Sequence, residues 1–328
     1  MIFWKPKVKK LLKLLGPLFF IFLFFRVVNT DDTLAVLKTI RPGMVALSVL
    51  LFPIVNGIFT LRWWIICRRL KIKVTFNCLY QIYYAAWFLS AFPLLGISPI
   101  AKLLYLKESG QPAGTSAVSI TLDKLFDIMG LLIFGIVGLI FFPQTLSNKT
   151  EIGIFIGVSL LAMLVIWICR GKLWQALMAF LKRYTNKKLQ YLGSSLYTDL
   201  REFWSGFDKH FFTVMLTISI AIGVLRAFVL YVLAISLNIS VSFGFIIICR
   251  AVIGLVNVVP VTVSGLGTRD AVLLFMMPFA GVSKETAIAL GLTAFLWNLC
   301  SAFAGIFFWL NRPLPYKSFR NIKQNLIR

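Results

Sequence analysis

Acid is scarce in this 328-residue sequence: eleven Asp and Glu stand against 34 Lys and Arg, with a single histidine, His210. That leaves little material for metal binding or proton transfer. The metal-binding histidine pair, the phosphate-cradling Walker loop and the Gly-x-Ser-x-Gly elbow are all missing. His210 stands at a predicted helix start, more often an interfacial position than a base. The five cysteines, Cys67, Cys78, Cys169, Cys249 and Cys300, are odd in number, lack paired spacing and lie in or beside apolar runs. No disulfide framework or zinc site follows from them. A polar coat is missing too. With 59% hydrophobic residues, 31 Phe and 9 Trp, the chain is no soluble globule but an all-α, polytopic integral membrane protein. In a soluble protein the cationic excess would suggest nucleic acid, but here the bases sit at the ends of apolar runs, where they encode topology. No nucleic-acid partner and no cofactor is expected.

In chain order, Lys5, Lys7, Lys9, Lys10 and Lys13 put the N-terminus in the cytoplasm, and Leu14 to Val28 follows as a first helix. No small-residue cleavage site comes after it, so it is read as a retained helix and not a signal peptide. A polar turn at Asn29 to Asp32 leads to a second helix, Gly43 to Cys67, which returns to the basic cluster Arg68, Arg69, Lys71 and Lys73. Simple crossings by Phe76–Phe92, Ala117–Phe142 and Ile152–Cys169 would leave the basic stretch from Arg170 to Lys209 outside, against the positive-inside bias. A re-entrant hairpin over about residues 76–106, broken around Pro93, Gly96 and Pro99, restores the parity. The second half poses the same problem between Phe211–Leu237 and a last helix, Thr286–Leu310, that ends beside Arg312, Lys317 and Arg320. A hairpin over about 243–282, broken from Pro260 to Gly267 and entering from the opposite face, solves it.

The expectation is therefore one transmembrane domain over residues 1–328, with about six full spans, two opposed re-entrant hairpins in an inverted-repeat-like arrangement, and both termini cytoplasmic. Eight ordinary spans is the alternative. Residues 170–210 read as an amphipathic linker on the membrane surface, where Lys182, Arg183, Lys187 and Lys188 either float or meet anionic head groups. Residues 311–328 form a basic tail.

Charges inside spans are costly and mark candidate sites. Asp123 and Asp127, four apart, share one helix face, with Lys124 turned about 100 degrees away and Lys102 on the returning limb of the first hairpin within reach. These carboxylates are either interfacial groups wetted by cytoplasmic water or part of a site. Arg226 lies mid-span and must point inward, to a carboxylate, to carbonyls or to an anion. Arg250 and Arg269 flank the break of the second hairpin. Arg269 falls in the first turn of a half-helix after Gly265 and Gly267, where free N–H groups and the dipole favour an anion, and Asp270 answers that dipole or serves the site.

Pro260-Val-Thr-Val-Ser-Gly265-Leu-Gly267-Thr-Arg269-Asp270 resembles the Pro…Gly-Leu-Gly-x-Arg-Glu signature of the flippase-like membrane domain of lysylphosphatidylglycerol synthases, which also occurs in stand-alone proteins. Ser98–Leu106 and Val118–Leu131 resemble two further family segments, with Lys102 and Lys124 where Arg is usual, Pro99 in place of an acidic residue and Asp270 in place of Glu. Charge survives at 102, 124 and 270, but the bidentate geometry of Arg is lost at 102 and 124. No soluble aminoacyl-transfer domain is present in these residues, so the resemblance implies at most the lipid-translocating half, in a cell (inner or cytoplasmic) membrane.

The function expected is flippase-like translocation of an anionic or polyprenyl-phosphate-linked lipid, with possible homo-oligomers. The expected substrate-binding residues are Lys102, Asp123, Lys124, Asp127, Arg226, Arg250, Gly265, Gly267, Arg269 and Asp270. Two alternatives stand beside it: a membrane-embedded lipid-modifying or glycosyl-transfer enzyme using Asp123 and Asp127, and an accessory subunit of a cell-envelope lipid or glycan pathway.

Overall fold

A computed structural model describes residues 30–91, 98–141, 208–257 and 267–311, and all the regular structure in them is helical. The expected helix Leu14–Val28, the span Ile152–Cys169, nearly all of the linker and tail, and the break residues Pro260 and Gly265 lie outside the described residues.

The first helix seen, α1 (Thr30–Lys38), overturns part of one expectation: it runs through positions assigned to a polar turn. Burial of Thr33 and the packing of Val36 and Leu37 on the core outweigh the local turn signal. The next span is two helices, α2 (Pro42–Leu50) and α3 (Phe52–Arg69), divided at Leu51. Pro53, in the first turn of α3, has no N–H for the preceding turn and its ring crowds that turn's carbonyl, so the helix restarts there. Then come α4 (Phe76–Ala91), α5 (Ser98–Glu108) and the 29-residue α6 (Ala113–Phe141), about 43 Å long at 1.5 Å per residue.

In the second half α7 (Lys209–Ser236) starts at Asp208, whose carboxylate accepts from the His210 N–H at 2.9 Å. It closes at Asn238, which takes the left-handed φ of 59° that a helix-ending turn requires. α8 (Phe243–Val256) and α9 (Thr268–Met276) follow, and α9 runs into a 3-10 turn over Met277–Ala280. The last span divides at Ala304 into α10 (Lys284–Phe303) and α11 (Gly305–Asn311).

By length and composition, Pro42–Arg69, Lys209–Ser236 and Lys284–Asn311 can each cross a membrane. α5, with 11 residues, and α9, with nine, fall well short of the roughly 20 that spanning requires.

A few contacts fix which ends lie together. Arg69 pairs with Asp208 at 3.8 Å, and the Arg41 N–H donates to the Ser236 carbonyl at 2.8 Å, so α7 runs antiparallel to α2–α3. The α4–α5 pair begins and ends at the Arg69 end, because the Lys73 N–H reaches the Gln111 side chain at 3.3 Å. The α8–α9 pair belongs to the other end. It follows Asn238, whose amide reaches the Thr39 carbonyl, and leads into α10, which packs on α1. From there α10–α11 passes Ser48, where the Trp297 indole N–H donates at 2.9 Å, and arrives at Tyr80 and Tyr84 with Phe308. One continuous apolar core, including Trp63, Leu79, Leu106, Leu233, Ile246 and Leu290, runs through both halves.

Candidate functional site

Inside this core α3, α6 and α7 meet around Arg62, a guanidinium only 1% exposed. Its Nε donates to Asp123 Oδ1 at 2.9 Å, Nη1 donates to the Ser219 hydroxyl at 3.0 Å, and Nη2 lies 3.6 Å from Asp127 Oδ1. Asp123 and Asp127 do share a face of α6, and Arg62 is what that face meets. The planar fork suits three partners at once, which a lysine in its place would not manage. Lys102, on α5, reaches Asp123 Oδ2 at 3.9 Å, while its ammonium lies 4.3 Å from the Tyr83 ring centre and 4.7 Å from that of Trp63. Lys124 turns outward, and its exposed ammonium reaches back to Asp127 at 3.0 Å.

Arg226 does point inward, but not onto a carboxylate: its guanidinium lies over the Phe59 ring, 4.5 Å from the centre, within electrostatic reach of Asp127 and Tyr83. Arg250, on α8, is within similar reach of Arg226, Asp127 and Arg269. Neither Arg226 nor Arg250 has an ion pair or hydrogen bond from its side chain among the described residues.

The second helix pair supplies the remaining charges. Gly267 holds φ at 92°, and its N–H donates to Asp270 Oδ2 at 2.8 Å, so Asp270 caps α9 as its dipole favours. Its other oxygen accepts from Arg269 Nε and Nη2 at 3.2 and 3.0 Å. Both side chains are buried, and Arg269 Nη1 has no hydrogen-bond partner among the described residues. Gly291 of α10 makes room for the pair, since a Cβ there would collide with Asp270 Oδ1. Thr268 Oγ1 donates to Asn257 Oδ1 at 2.8 Å and ties the start of α9 to the end of α8.

Of the residues expected from sequence, Lys102, Asp123, Lys124 and Asp127 form one network; Arg226, Arg250 and Arg269 lie beside it, and Gly267 and Asp270 form the capped start of α9. Gly265 lies outside the described residues. Sequence reasoning missed Arg62 and Ser219, and the rings of Phe59, Trp63 and Tyr83 that hold the cations. Among the described residues the cluster gathers six cations, Arg62, Lys102, Lys124, Arg226, Arg250 and Arg269, and three carboxylates, Asp123, Asp127 and Asp270. Among the described residues no three His, Cys, Asp or Glu side chains come together as metal ligands would.

The family model for the lysylphosphatidylglycerol synthase TM region matches residues 10–307, a stretch that takes in every charge of this cluster. The chain belongs to that family. As a lysylphosphatidylglycerol synthase TM region it is a membrane protein of lipid-related processes, and the signature that pointed there, Gly267 to Asp270, is the capped start of α9. No curated protein matches the sequence.

Proposed function

We propose that the protein moves an anionic or polyprenyl-phosphate-linked lipid between leaflets, as a flippase-like carrier. The observation that carries this reading is the imbalance beside the Arg62 network. Arg226 and Arg250 lack carboxylate partners among the described residues, and Arg269 keeps a buried N–H group unused. A half-buried guanidinium without a counter-ion, as at Arg226 and Arg250, is costly, and a phosphate head group would supply the missing charge and acceptors. Asp123 and Asp127, both engaged by Arg62, act in this scheme as counter-ions and not as an acid–base pair.

The hairpins are re-entrant and enter from opposite faces. Support comes from the short α5 and α9 and from the placement of each helix pair's two ends at one end of the molecule, the Arg69 end for the first and the Arg41 end for the second. Head groups bind between the two, and rocking of one half against the other exposes them to alternate leaflets. The whole chain is one domain of the cytoplasmic membrane with both termini in the cytoplasm.

Fluorescent lipid in reconstituted vesicles, read by its accessibility to a membrane-impermeant quencher, tests the site. Arg226→Gln and Arg250→Gln should each slow translocation at least about tenfold, the smaller end of what one charge-assisted hydrogen bond is worth, while their size-exclusion profile and helix content stay unchanged. Wild-type rates in both single variants would overturn the assignment.

A further inference from the structure

Where α3 ends, the chain turns through six residues into α4 and borders an open groove of about 640 Å³. Trp64, Val74 and Phe76 give it an apolar floor, and Arg68, Lys71 and Lys73 surround it. We infer that this groove is a binding site for an anionic phospholipid, with the phosphate held by the three cations and the first methylenes lying on the Trp64–Phe76 floor. The inference is independent of the carrier reading, since it concerns the end of a span and not its centre.

Four observations lead to it. The groove sits at the end of Pro42–Arg69, a helix long and apolar enough to cross a membrane, so it falls at the level of lipid head groups. The cations are unanswered: Arg69 next door is paired with Asp208, whereas Arg68, Lys71 and Lys73 have no carboxylate partner among the described residues, and none lines the groove. The floor is preformed. Trp64 and Phe76 meet edge to face with centres 6.2 Å apart, and the Arg68 guanidinium covers Trp64 at 4.9 Å.

The last observation is the backbone at Lys71. It holds φ at 58° as the helix-ending residue of α3, with the Lys71 N–H bonded to the Arg68 carbonyl and the Ile72 N–H to that of Cys67. Glycine is usual at such a position and asparagine is tolerated, as Asn238 shows at the end of α7. A lysine there is strained. It brings a cation to the groove, which neither of the usual residues would.

The test uses the full chain in two sets of phosphatidylcholine vesicles, one doped with dibrominated phosphatidylserine and the other with dibrominated phosphatidylcholine, and reads tryptophan quenching. The two probes have head groups of similar size and differ in net charge. Phosphatidylserine should quench more strongly, and Trp64→Phe should reduce the excess by the share that belongs to this groove. Lys71→Gly should weaken apparent affinity for phosphatidylserine about fivefold, the worth of one basic residue at an anionic surface, while raising the unfolding midpoint by relieving the strained φ. Arg68→Gln, Lys71→Gly and Lys73→Gln together should weaken it on the order of a hundredfold, three such contributions combined. Lys38→Gln with Lys284→Gln, which removes as many charges as two of those changes elsewhere, should leave the preference intact. The proposal is overturned if Trp64→Phe leaves the excess unchanged, if Lys71→Gly binds phosphatidylserine as before, or if the Lys38 and Lys284 variant loses the preference equally. Displacement of the excess by inorganic phosphate would also overturn it, assigning the groove to a soluble anion.

Discussion

At the scale of the residue, Arg62 organises the buried charge. Replacing it with leucine leaves Asp123 and Asp127 facing Lys102 and the peripheral Lys124 without the fork that joins them. Removing one member of a buried ion pair costs about 3 to 5 kcal/mol, so Arg62→Leu should unfold far more readily in detergent, as followed by circular dichroism. Arg62→Lys should lose less, because an ammonium satisfies some of the same partners. A thermal midpoint for Arg62→Leu equal to that of the wild type would remove Arg62 from the centre of this account. Its importance was not legible in the sequence. Lying shortly before Arg68 and Arg69, it reads as one more basic residue at a span's end, and its partner Asp123 is 61 positions away. The same-face pair Asp123 and Asp127 and the reach of Lys102 were legible, since both follow from helical spacing and from a hairpin that folds back.

At the scale of the element, the last span touches both helix pairs through glycines. Gly291 accommodates Asp270 of α9, and after the break at Ala304, Gly305 approaches α4 so closely that a Cβ would collide with the Tyr84 carbonyl. A backbone carbonyl cannot swing aside, so Gly305→Ala should cost about 1 to 3 kcal/mol through forced displacement. Gly57→Ala provides the contrast. That glycine, inside α3, has nothing within 4 Å of the added methyl, and the substitution should be neutral or stabilise by up to about 1 kcal/mol through helix propensity. Equal thermal midpoints for the two variants would show that α11 does not rest on α4 as described. Hydropathy placed α4, α6, α7 and α8 to within a few residues. It did not reveal the divisions at Leu51 and Ala304, since both fall inside unbroken apolar runs, nor α1, where tertiary burial overrides local polarity.

At the scale of the whole molecule, counting basic residues along the chain led to the expectation of two segments that return to the side they left, and the proposed hairpins require the two ends of each helix pair to share a face. Lys73 meets Gln111 beside the Arg69 end, which also holds Asp208; Thr39 and Arg41 meet Asn238 and Ser236 at the other. The arrangement makes a prediction that does not depend on any activity. With the native cysteines replaced, single cysteines at Lys73, Gln111 and Asp208 should react with an impermeant maleimide from one face of sealed vesicles, and cysteines at Arg41, Asn238 and Ser283 from the other. A single full crossing over either segment would instead carry Gln111 to the face opposite Lys73, or Ser283 to the face opposite Asn238. Either result would remove the re-entrant hairpins, and with them the physical reason for placing Arg226, Arg250 and Arg269 around a shared head group between two half-crossings.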